Sequence, residues 1–222
     1  MGIDFENLNA IRQQLYVAAV CDILDEIGYR NQAMHHRLRP LLPDIRNCGF
    51  IGKARTLRWM ETDYLPDNPY AMEIAFMDSL KQGDVVVHST DSAGTNAPWV
   101  ELMSTVAKRN GAAGCVCDSQ IRDCVKIIEM GFPVYYSGIR PLDSKGRAMV
   151  MAYDVPVKCG DVLVKTGDII FADFDGIVVV PEELSEDVFE RAADKINSEN
   201  LSRKELIRGR SLRDVYEKYH AL

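Results

Sequence analysis

Two short apolar runs, each followed by a segment of helical periodicity, occupy the centre of this sequence. The runs are residues 85–87, which follow Gly83-Asp84, and residues 114–118. Continuous apolar runs of this length are typical of strands that are covered on both faces, and such strands joined by helices form parallel sheets. The pattern therefore predicts an α/β fold in which two helices begin along the same edge of a parallel sheet.

The two helices of this region have recognisable ends and inward faces. The first ends near Gly111 and the second at Gly131. Glu101 then lies in the first turn of one helix, whereas Arg122 and Asp123 lie at the start of the other. The residues expected to face the core are Trp99, Leu102, Met103, Val106 and Ala107 in the first helix and Cys124, Ile127 and Ile128 in the second.

The remaining segments also have interpretable patterns. The two C-terminal helices divide near Gly209, and Ser211 is placed to cap the second. No repeat, low-complexity tract or linker marks a boundary, so a single domain of residues 1–222 is expected. The sequence predicts an opening helical segment 5–27 in one piece or two, an irregular connector 33–48, a strand 53–60, a helix 71–80, a mainly stranded region 134–180 and C-terminal helices within 182–222.

Composition limits the partners of the protein. Acidic residues outnumber basic ones by 33 to 26 and the basic residues are scattered, which argues against binding to a nucleic-acid backbone. The sequence has neither a signal-peptide pattern nor an apolar run long enough to span a bilayer, so no membrane contact is expected. The six cysteines have neither the paired spacing of a zinc site nor the density of a disulfide scaffold. These features predict a cytoplasmic protein.

The shared edge of the predicted sheet is suited to small anions. Backbone N–H groups in the first turn of a helix have no partner within the helix, so those of Leu102 and Met103 favour a carboxylate. Gly94, in the loop before this helix, allows the backbone to approach a ligand closely. Arg122 can pair bidentately with a carboxylate or an enolate. We therefore predict that all four residues contact an anionic substrate.

Two acids beside an anion site imply a bound cation. Mg²⁺ needs only one or two protein carboxylates and completes its shell with water and substrate oxygens, so Glu101 and Asp123 suffice. Such an ion would polarise the carbonyl group of a 2-oxo acid, and with Arg122 it would stabilise the enolate left by C–C cleavage. A structural explanation stays open, because the helix dipole alone accounts for acids in a first turn and a solvated arginine is common there.

The chain contains Glu101, then twenty intervening residues, then Arg122-Asp123. This arrangement resembles the acid–x20–Arg-Asp signature of the 4-hydroxy-4-methyl-2-oxoglutarate aldolase family, whose relatives include the RraA-like regulators of ribonuclease E. The resemblance implies a compact α/β/β/α swivelling domain with flanking N- and C-terminal helices. It also implies homotrimers or hexamers with active sites between subunits. The similar region runs from about residue 17 to 219 and includes the segments 52–56, 83–87, 111–114, 133–134, 167–168 and 172–181.

The resemblance also assigns roles to individual residues. It implies that Asp123 binds the divalent metal, Mg²⁺ or Mn²⁺, directly and that Glu101 holds a metal-bound water. Arg122 would bind the substrate and stabilise the pyruvate enolate. In the family, an acid from the C-terminal region of a neighbouring subunit lies near the metal waters. Glu199 is the better match for that acid and Glu205 the weaker one, and helical spacing does not decide between them.

Two functions follow from these observations. The first is a divalent-metal-dependent lyase that cleaves 4-hydroxy-2-oxo acids to pyruvate and also decarboxylates oxaloacetate. The second is a non-catalytic RraA-like regulator that binds a ribonuclease E-type protein. Retention of Glu101, Arg122 and Asp123 favours the lyase. The chain departs from the family where Ser119-Gln120 replaces a glycine after Asp118, and also in the loop 94–99, which leaves the aldol substrate undefined.

Overall fold

The computed structural model describes residues 5–90 and 95–220. Within these ranges the elements follow one another as α1 (Phe5–Gln14), α2 (Val17–Glu26), β1 (Arg39–Pro40), β2 (Phe50–Glu61), α3 (Ala71–Asp78), β3 (Asp84–Ser89), α4 (Glu101–Arg109), β4 (Gly114–Ile121), α5 (Cys124–Met130), β5 (Val134–Ile139), β6 (Ala148–Tyr153), β7 (Val157–Cys159), β8 (Val162–Val164), β9 (Ile169–Asp173), β10 (Gly176–Val180), a 3-10 turn (Glu182–Leu184), α6 (Ser185–Ile207) and α7 (Leu212–Tyr219).

A mixed sheet of eight strands organises the chain. Its order is β1-β5-β4-β3-β2-β9-β10, and β6 pairs with the C-terminal half of β2. Strands β2, β3, β4 and β5 run parallel to one another, whereas β1, β6, β9 and β10 pair antiparallel with their neighbours. Val87 of β3 pairs with Val116 of β4, so the two apolar runs are adjacent strands. The predicted parallel arrangement is confirmed for these central strands, and the sheet as a whole is mixed.

Alternate residues of the central strands pack into different cores. In β3, Val86 belongs to a core beneath α3, α4 and α5, while Val85 and Val87 belong to a core beneath the β7–β8 hairpin. All three side chains are fully buried. A third core joins α1, α2 and α6 to β9 and β10 through Phe171 and Val178. Because neighbouring strand residues point to opposite faces, burial on both faces explains why the strands are continuously apolar.

The helices at both ends of the chain lie where the sequence predicts them. The opening segment breaks once, because α1 ends at Gln14 and α2 begins at Val17, whose N–H donates to Asp173 Oδ2 at 2.8 Å. Ser211 caps α7 as predicted, and its hydroxyl accepts a hydrogen bond from Asp214 N at 3.1 Å. Helix α6 packs against both α2 and α7, so helices from the two chain ends meet.

Two predictions of inward-facing residues are wrong. Leu102 of α4 is 65% exposed and Ile128 of α5 is 37% exposed, whereas Ala107 and Ile127 are buried. Both helices are short, so each presents only a narrow stripe to the sheet, and these two side chains lie outside the stripe. Leu102 therefore adds apolar surface at the edge where α4 begins.

The mixed α/β class with flanking helices is confirmed. Helices cover the sheet at its β3–β5 side and at its β9–β10 side, and the β7–β8 hairpin adds a separate small sheet. In the described ranges, every helix is too short or too polar to cross a lipid bilayer.

Candidate functional site

Three of the predicted site residues, Glu101, Arg122 and Asp123, meet at the carboxyl end of strand β4. Trp99 and Ile121 form an isolated parallel bridge, and Arg122 N donates to Trp99 O at 3.1 Å. Both links join the residues that precede α4 to those that precede α5. The structure thereby brings the first turn of α4 beside Arg122 and Asp123, as the shared sheet edge predicts.

Asp123 turns the chain sharply between β4 and α5. Its backbone is left-handed, with φ 59° and ψ 29°. This conformation costs roughly 1 kcal/mol for a residue with a side chain, although Asp and Asn tolerate it better than most. The side chain is exposed, and its Oδ2 accepts a long hydrogen bond from Glu101 N at 3.4 Å. The turn therefore presents the Asp123 carboxylate at the start of α4.

Glu101 opens α4 and is partly buried. Its Oε1 accepts a hydrogen bond from Thr105 Oγ1 at 2.8 Å, one helical turn further along. Because Asp123 bonds to the backbone of Glu101, both residues belong to one edge of the sheet. Together they offer carboxylate oxygens, which are the ligands that Mg²⁺ and Mn²⁺ prefer.

Arg122 has only part of its guanidinium engaged. Its Nη2 lies 3.5 Å from Asp143 Oδ2. Its Nε is buried and has no hydrogen-bond partner among the residues that the structure describes. A buried donor on a charged group is costly to leave without an acceptor. The Arg122 side chain is 29% exposed overall, so an anionic ligand can approach its exposed atoms.

A cavity of about 450 Å³ lies beside Arg122 and Asp123. Lys126 and Arg140 add positive charge to its wall. This volume suits a small molecule, and the surplus of positive charge favours an acidic one. The remaining lining residues are Cys124, Val125, Ile139 and Pro141.

The backbone donors predicted to bind substrate lie in the first turn of α4. Ser104 N donates to Val100 O at 3.1 Å, which begins the helical ladder. The N–H groups of Leu102 and Met103 precede that bond, so they are first-turn donors. Gly94 lies outside the described residues, and its predicted substrate contact stays a prediction.

Glu199 is held away from this edge within its own chain. It lies on α6, where its carboxylate accepts a hydrogen bond from Tyr16 OH and lies 3.7 Å from Lys195 Nζ. Burial, and then this carboxylate, raise the pKa of Tyr16 to about 12. Glu205 pairs with Arg210 Nε at 2.8 Å. That either acid reaches the site of a neighbouring subunit stays a prediction.

Sequence reasoning missed three side chains that gather around Arg122. Asp143 Oδ2 lies near Arg122 and also accepts a hydrogen bond from Tyr70 OH at 3.4 Å. Glu73, on α3, is only 5% exposed and feels the charge of Asp143. The three residues come from the start of α3 and the β5–β6 loop, far apart in the chain. No spacing pattern connects them, so only the folded chain could reveal the group.

Glu73 should make the stability of the protein depend on pH. Burial, and then the negative charge of Asp143, raise the pKa of Glu73 from 4.5 to about 7. The native state therefore keeps a proton that the unfolded chain loses, so the stabilising contribution is present below pH 4.5 and is lost as pH rises through about 7. We compare the free energy of unfolding of Glu73→Gln with that of wild type. This difference should favour the variant by roughly 2 kcal/mol more at pH 8 than at pH 5.

Urea unfolding of wild type and Glu73→Gln at both pH values measures this difference. Glu217→Gln, at an exposed position on α7, is the matched control and should show no such trend. Parallel pH profiles for wild type and Glu73→Gln would contradict the expected raised pKa.

Comparison with known proteins identifies the fold family. The sequence pattern described as RraA-like, Aldolase/RraA, matches residues 17–179, which include the sheet and the site. The chain belongs to the RraA-like family. A Halalkalibacterium halodurans protein, named provisionally as a 4-hydroxy-4-methyl-2-oxoglutarate aldolase, is 31% identical over 149 residues, which cover 67% of this chain and 68% of that protein.

Other RraA-like relatives carry different names. Streptomyces coelicolor RraAS2, described as an unusual member of the RNase ES inhibitor RraA protein family, has a crystal structure that is 30% identical in sequence. The aligned region covers 91% of this chain and 98% of the RraAS2 chain, with a TM-score of 0.78. Legionella pneumophila protein DlpA is 24% identical over 220 residues, which are 98% of this chain but 35% of DlpA. The RraA-like chain thus spans about a third of the length of that relative.

The donors of this RraA-like chain fit some metals better than others. Within the described part of the chain, no group of three or more His, Cys, Asp or Glu side chains is placed to hold a metal ion. A structural zinc needs four such ligands, whereas Mg²⁺ and Mn²⁺ are held by one or two carboxylates together with water and substrate oxygens. Asp123 and Glu101 meet that smaller requirement. The positive charge of Arg122, whose side chain is 29% exposed, would suit an anionic substrate beside such an ion.

Proposed function

We propose that this chain is a divalent-metal-dependent lyase that cleaves 4-hydroxy-2-oxo acids of the 4-hydroxy-4-methyl-2-oxoglutarate type to pyruvate and also decarboxylates oxaloacetate. Membership of a family whose members include a provisionally named aldolase supports this reaction class. The observation that carries the proposal is the meeting of Glu101, Arg122 and Asp123 at one sheet edge, where Asp123 Oδ2 accepts a hydrogen bond from Glu101 N.

The two acids would hold the cofactor, Mg²⁺ or Mn²⁺. Asp123 would bind it directly, because its exposed carboxylate is presented by a sharp turn, and Glu101 would bind it through water. When bound, the ion would polarise the 2-oxo group and spread the negative charge that develops as the C–C bond breaks. Thr105 would keep one oxygen of Glu101 oriented.

The remaining residues of the site would bind and orient the substrate. Arg122 would pair with the carboxylate next to the 2-oxo group and with the developing enolate oxygen, since Asp143 contacts only its Nη2 and its side chain is 29% exposed. The first-turn N–H groups of Leu102 and Met103 would add hydrogen bonds to the same anion. Lys126 and Arg140 line the cavity and would attract the second carboxylate of a diacid.

One site can serve both reactions because they share a product-forming step. In the aldol cleavage, the 4-hydroxyl group loses its proton to water and its oxygen becomes the carbonyl oxygen of the compound that leaves. The electron pair of the broken C–C bond passes to the pyruvate fragment. In the decarboxylation the same pair passes to the same fragment, and CO₂ leaves. Protonation of the resulting enolate gives pyruvate in both cases. Stabilisation of that enolate therefore accelerates both reactions.

Metal dependence provides the test of the lyase proposal. Purified protein with Mg²⁺ is expected to release pyruvate from oxaloacetate or from a branched 4-hydroxy-2-oxo diacid, followed by coupled NADH oxidation. EDTA should lower the rate by at least about a hundredfold, because the ion supplies the main charge stabilisation, and added Mg²⁺ or Mn²⁺ should restore it. If none of the tested substrates yields pyruvate, the proposal is contradicted.

We also propose that the active protein is a homotrimer or hexamer with Glu199 of one subunit near the site of another. Exposed apolar side chains flank the edge of the site, where Leu102 is 65%, Val125 69% and Ile139 60% exposed. Contact with a second copy would bury them and would close the cavity. Light scattering that shows only monomers in an active preparation would contradict this assembly.

The second candidate function is regulation of a ribonuclease E-type protein. Its support is the likeness to RraAS2, which is described as belonging to a family of RNase ES inhibitors. A pull-down with a ribonuclease E-type protein separates the two functions. Binding in the pull-down together with absence of pyruvate release would reverse the preference for the lyase.

A further inference from the structure

The loop between β5 and β6 brings one carboxylate, that of Asp143, against the arginine of the site. Its two oxygens face different partners. Oδ1 accepts hydrogen bonds within its own loop, from Lys145 N at 3.4 Å and Ser144 Oγ at 3.5 Å. Oδ2 lies 3.5 Å from Arg122 Nη2 and accepts a hydrogen bond from Tyr70 OH at 3.4 Å. One side chain thus connects Arg122 both to this loop and to the start of α3.

The loop that carries Asp143 is itself held in place. Arg147 Nη1 donates to Asp143 O at 3.0 Å, and Ala97 N donates to Leu142 O at 2.9 Å. Ala97 lies in the segment that leads into α4, so the loop is tied to the part of the chain that carries Glu101. An arginine side chain loses rotamer entropy when it is ordered, so a fixed partner is needed to orient it.

The contact with Asp143 restrains Arg122 without using all of its donors. Although burial opposes ionisation, the hydrogen bond from Lys145 N and the charge of Arg122 hold the pKa of Asp143 below its usual value. The carboxylate is therefore charged at neutral pH, as the guanidinium always is. The pair involves Arg122 Nη2, while Nε has no partner among the described residues. The Arg122 side chain is 29% exposed, so its exposed donors are left for a ligand.

We infer that Asp143 is a positioning residue that holds the Arg122 guanidinium in the orientation that meets the substrate carboxylate, and that Tyr70 holds Asp143 in turn. The inference rests on the proposed function, because it requires Arg122 to bind an anionic substrate. Asp143 acts through the contact of Arg122 with the substrate carboxylate, which is made both before and during bond cleavage. Its removal should therefore weaken substrate binding more than it slows bond cleavage.

Steady-state kinetics with oxaloacetate and Mg²⁺ test this role. Asp143→Asn is expected to raise KM about tenfold while kcat changes less than about threefold, because one charge-assisted contact to Arg122 is lost. Tyr70→Phe should act in the same direction with a smaller effect, and Asp143→Glu should recover part of the loss. In an Arg122→Lys background, Asp143→Asn should add little, because the two residues act as a unit.

Asp154→Asn is the matched control for a general effect of removing an arginine partner. The side chain of Asp154 is 35% exposed and lies 2.7 Å from Arg55 Nε. This ion pair is separate from the one between Asp143 and Arg122. Asparagine suits its left-handed backbone, where φ is 55°. This variant should keep the wild-type KM. A KM for Asp143→Asn that equals the wild-type value would overturn the inference.

A spectroscopic measurement separates the inference from the proposed function. The NMR signal of Arg122 Nε–Hε, assigned by its absence in Arg122→Lys, should shift in Asp143→Asn without any substrate and should not shift in Asp154→Asn. If the wild-type protein releases no pyruvate, the lyase proposal fails, yet the signal still reports whether Asp143 orients Arg122. An unmoved signal in Asp143→Asn would overturn the positioning role in either case.

Discussion

Replacement of Asp123 by alanine is expected to lower pyruvate release from oxaloacetate at saturating Mg²⁺ by at least about a thousandfold, because it removes the proposed direct ligand of the ion. The carboxylate is exposed and, among the described residues, accepts one long hydrogen bond, from Glu101 N, so its loss should disturb the fold little. Initial rates and a Mg²⁺ titration measure the effect. Near-wild-type turnover would remove Asp123 from the mechanism.

Two further variants separate chemistry from backbone strain. Alanine is less suited than aspartate to the left-handed φ of 59° at position 123, whereas asparagine tolerates it. Asp123→Asn should therefore be as inactive as Asp123→Ala while unfolding at the wild-type urea concentration. Glu129→Ala removes an exposed acid from the same helix and should keep full activity.

Gly52→Ala is expected to lower the free energy of unfolding by about 3 kcal/mol or more, because the central strand β2 has no room for a side chain there. An added Cβ would collide with Gly83 O and would lie 2.9 Å from Val85 Cγ2 and 3.3 Å from Ala113 Cβ. Gly83 O cannot move away freely, since it accepts a hydrogen bond from Lys53 N at 3.0 Å. Urea denaturation followed by circular dichroism measures the change.

Gly138→Ala is the matched control for this substitution. Gly138 also lies in a parallel strand, β5, but an added Cβ would meet only Gln120, with the nearest atom, Cγ, at 3.4 Å. That is an ordinary van der Waals contact, so the free energy of unfolding should change by no more than about 0.5 kcal/mol. Equal stability of Gly52→Ala and Gly138→Ala would show that the backbone around Gly52 adapts to a side chain.

The parts of the fold that were predictable are those with a strong local pattern. Continuous burial of β3 made residues 85–87 apolar without interruption, and the positive φ of Gly111 and Gly131 accounts for the helix ends recognised there. The inward faces of α4 and α5 were predicted less well. Periodicity gives the direction of a helical face but not the width of the surface that covers it, and Leu102 lies beyond that surface.

The candidate site was predictable in part for the same reason. Glu101, Arg122 and Asp123 follow strands whose carboxyl ends share an edge, so their meeting was implied by the order of the elements. Asp143 reaches Arg122 from a loop, and Tyr70 reaches Asp143 from the start of α3. No periodic pattern governs either segment. Glu199 would lie near the site of a neighbouring subunit only in the assembled oligomer, and the fold of one chain does not determine how subunits assemble.

The sequence by itself determined the α/β class, the order of strands and helices, and the edge at which Glu101, Arg122 and Asp123 meet. These properties depend on local periodicity and on the geometry of parallel strands, and both are written in neighbouring residues. Only the tertiary structure decided that Arg122 pairs with Asp143 through Nη2, that its Nε has no partner among residues 5–90 and 95–220, and that Glu73 is buried beside that pair. Contacts between distant segments depend on how loops pack, and a local pattern does not encode that packing.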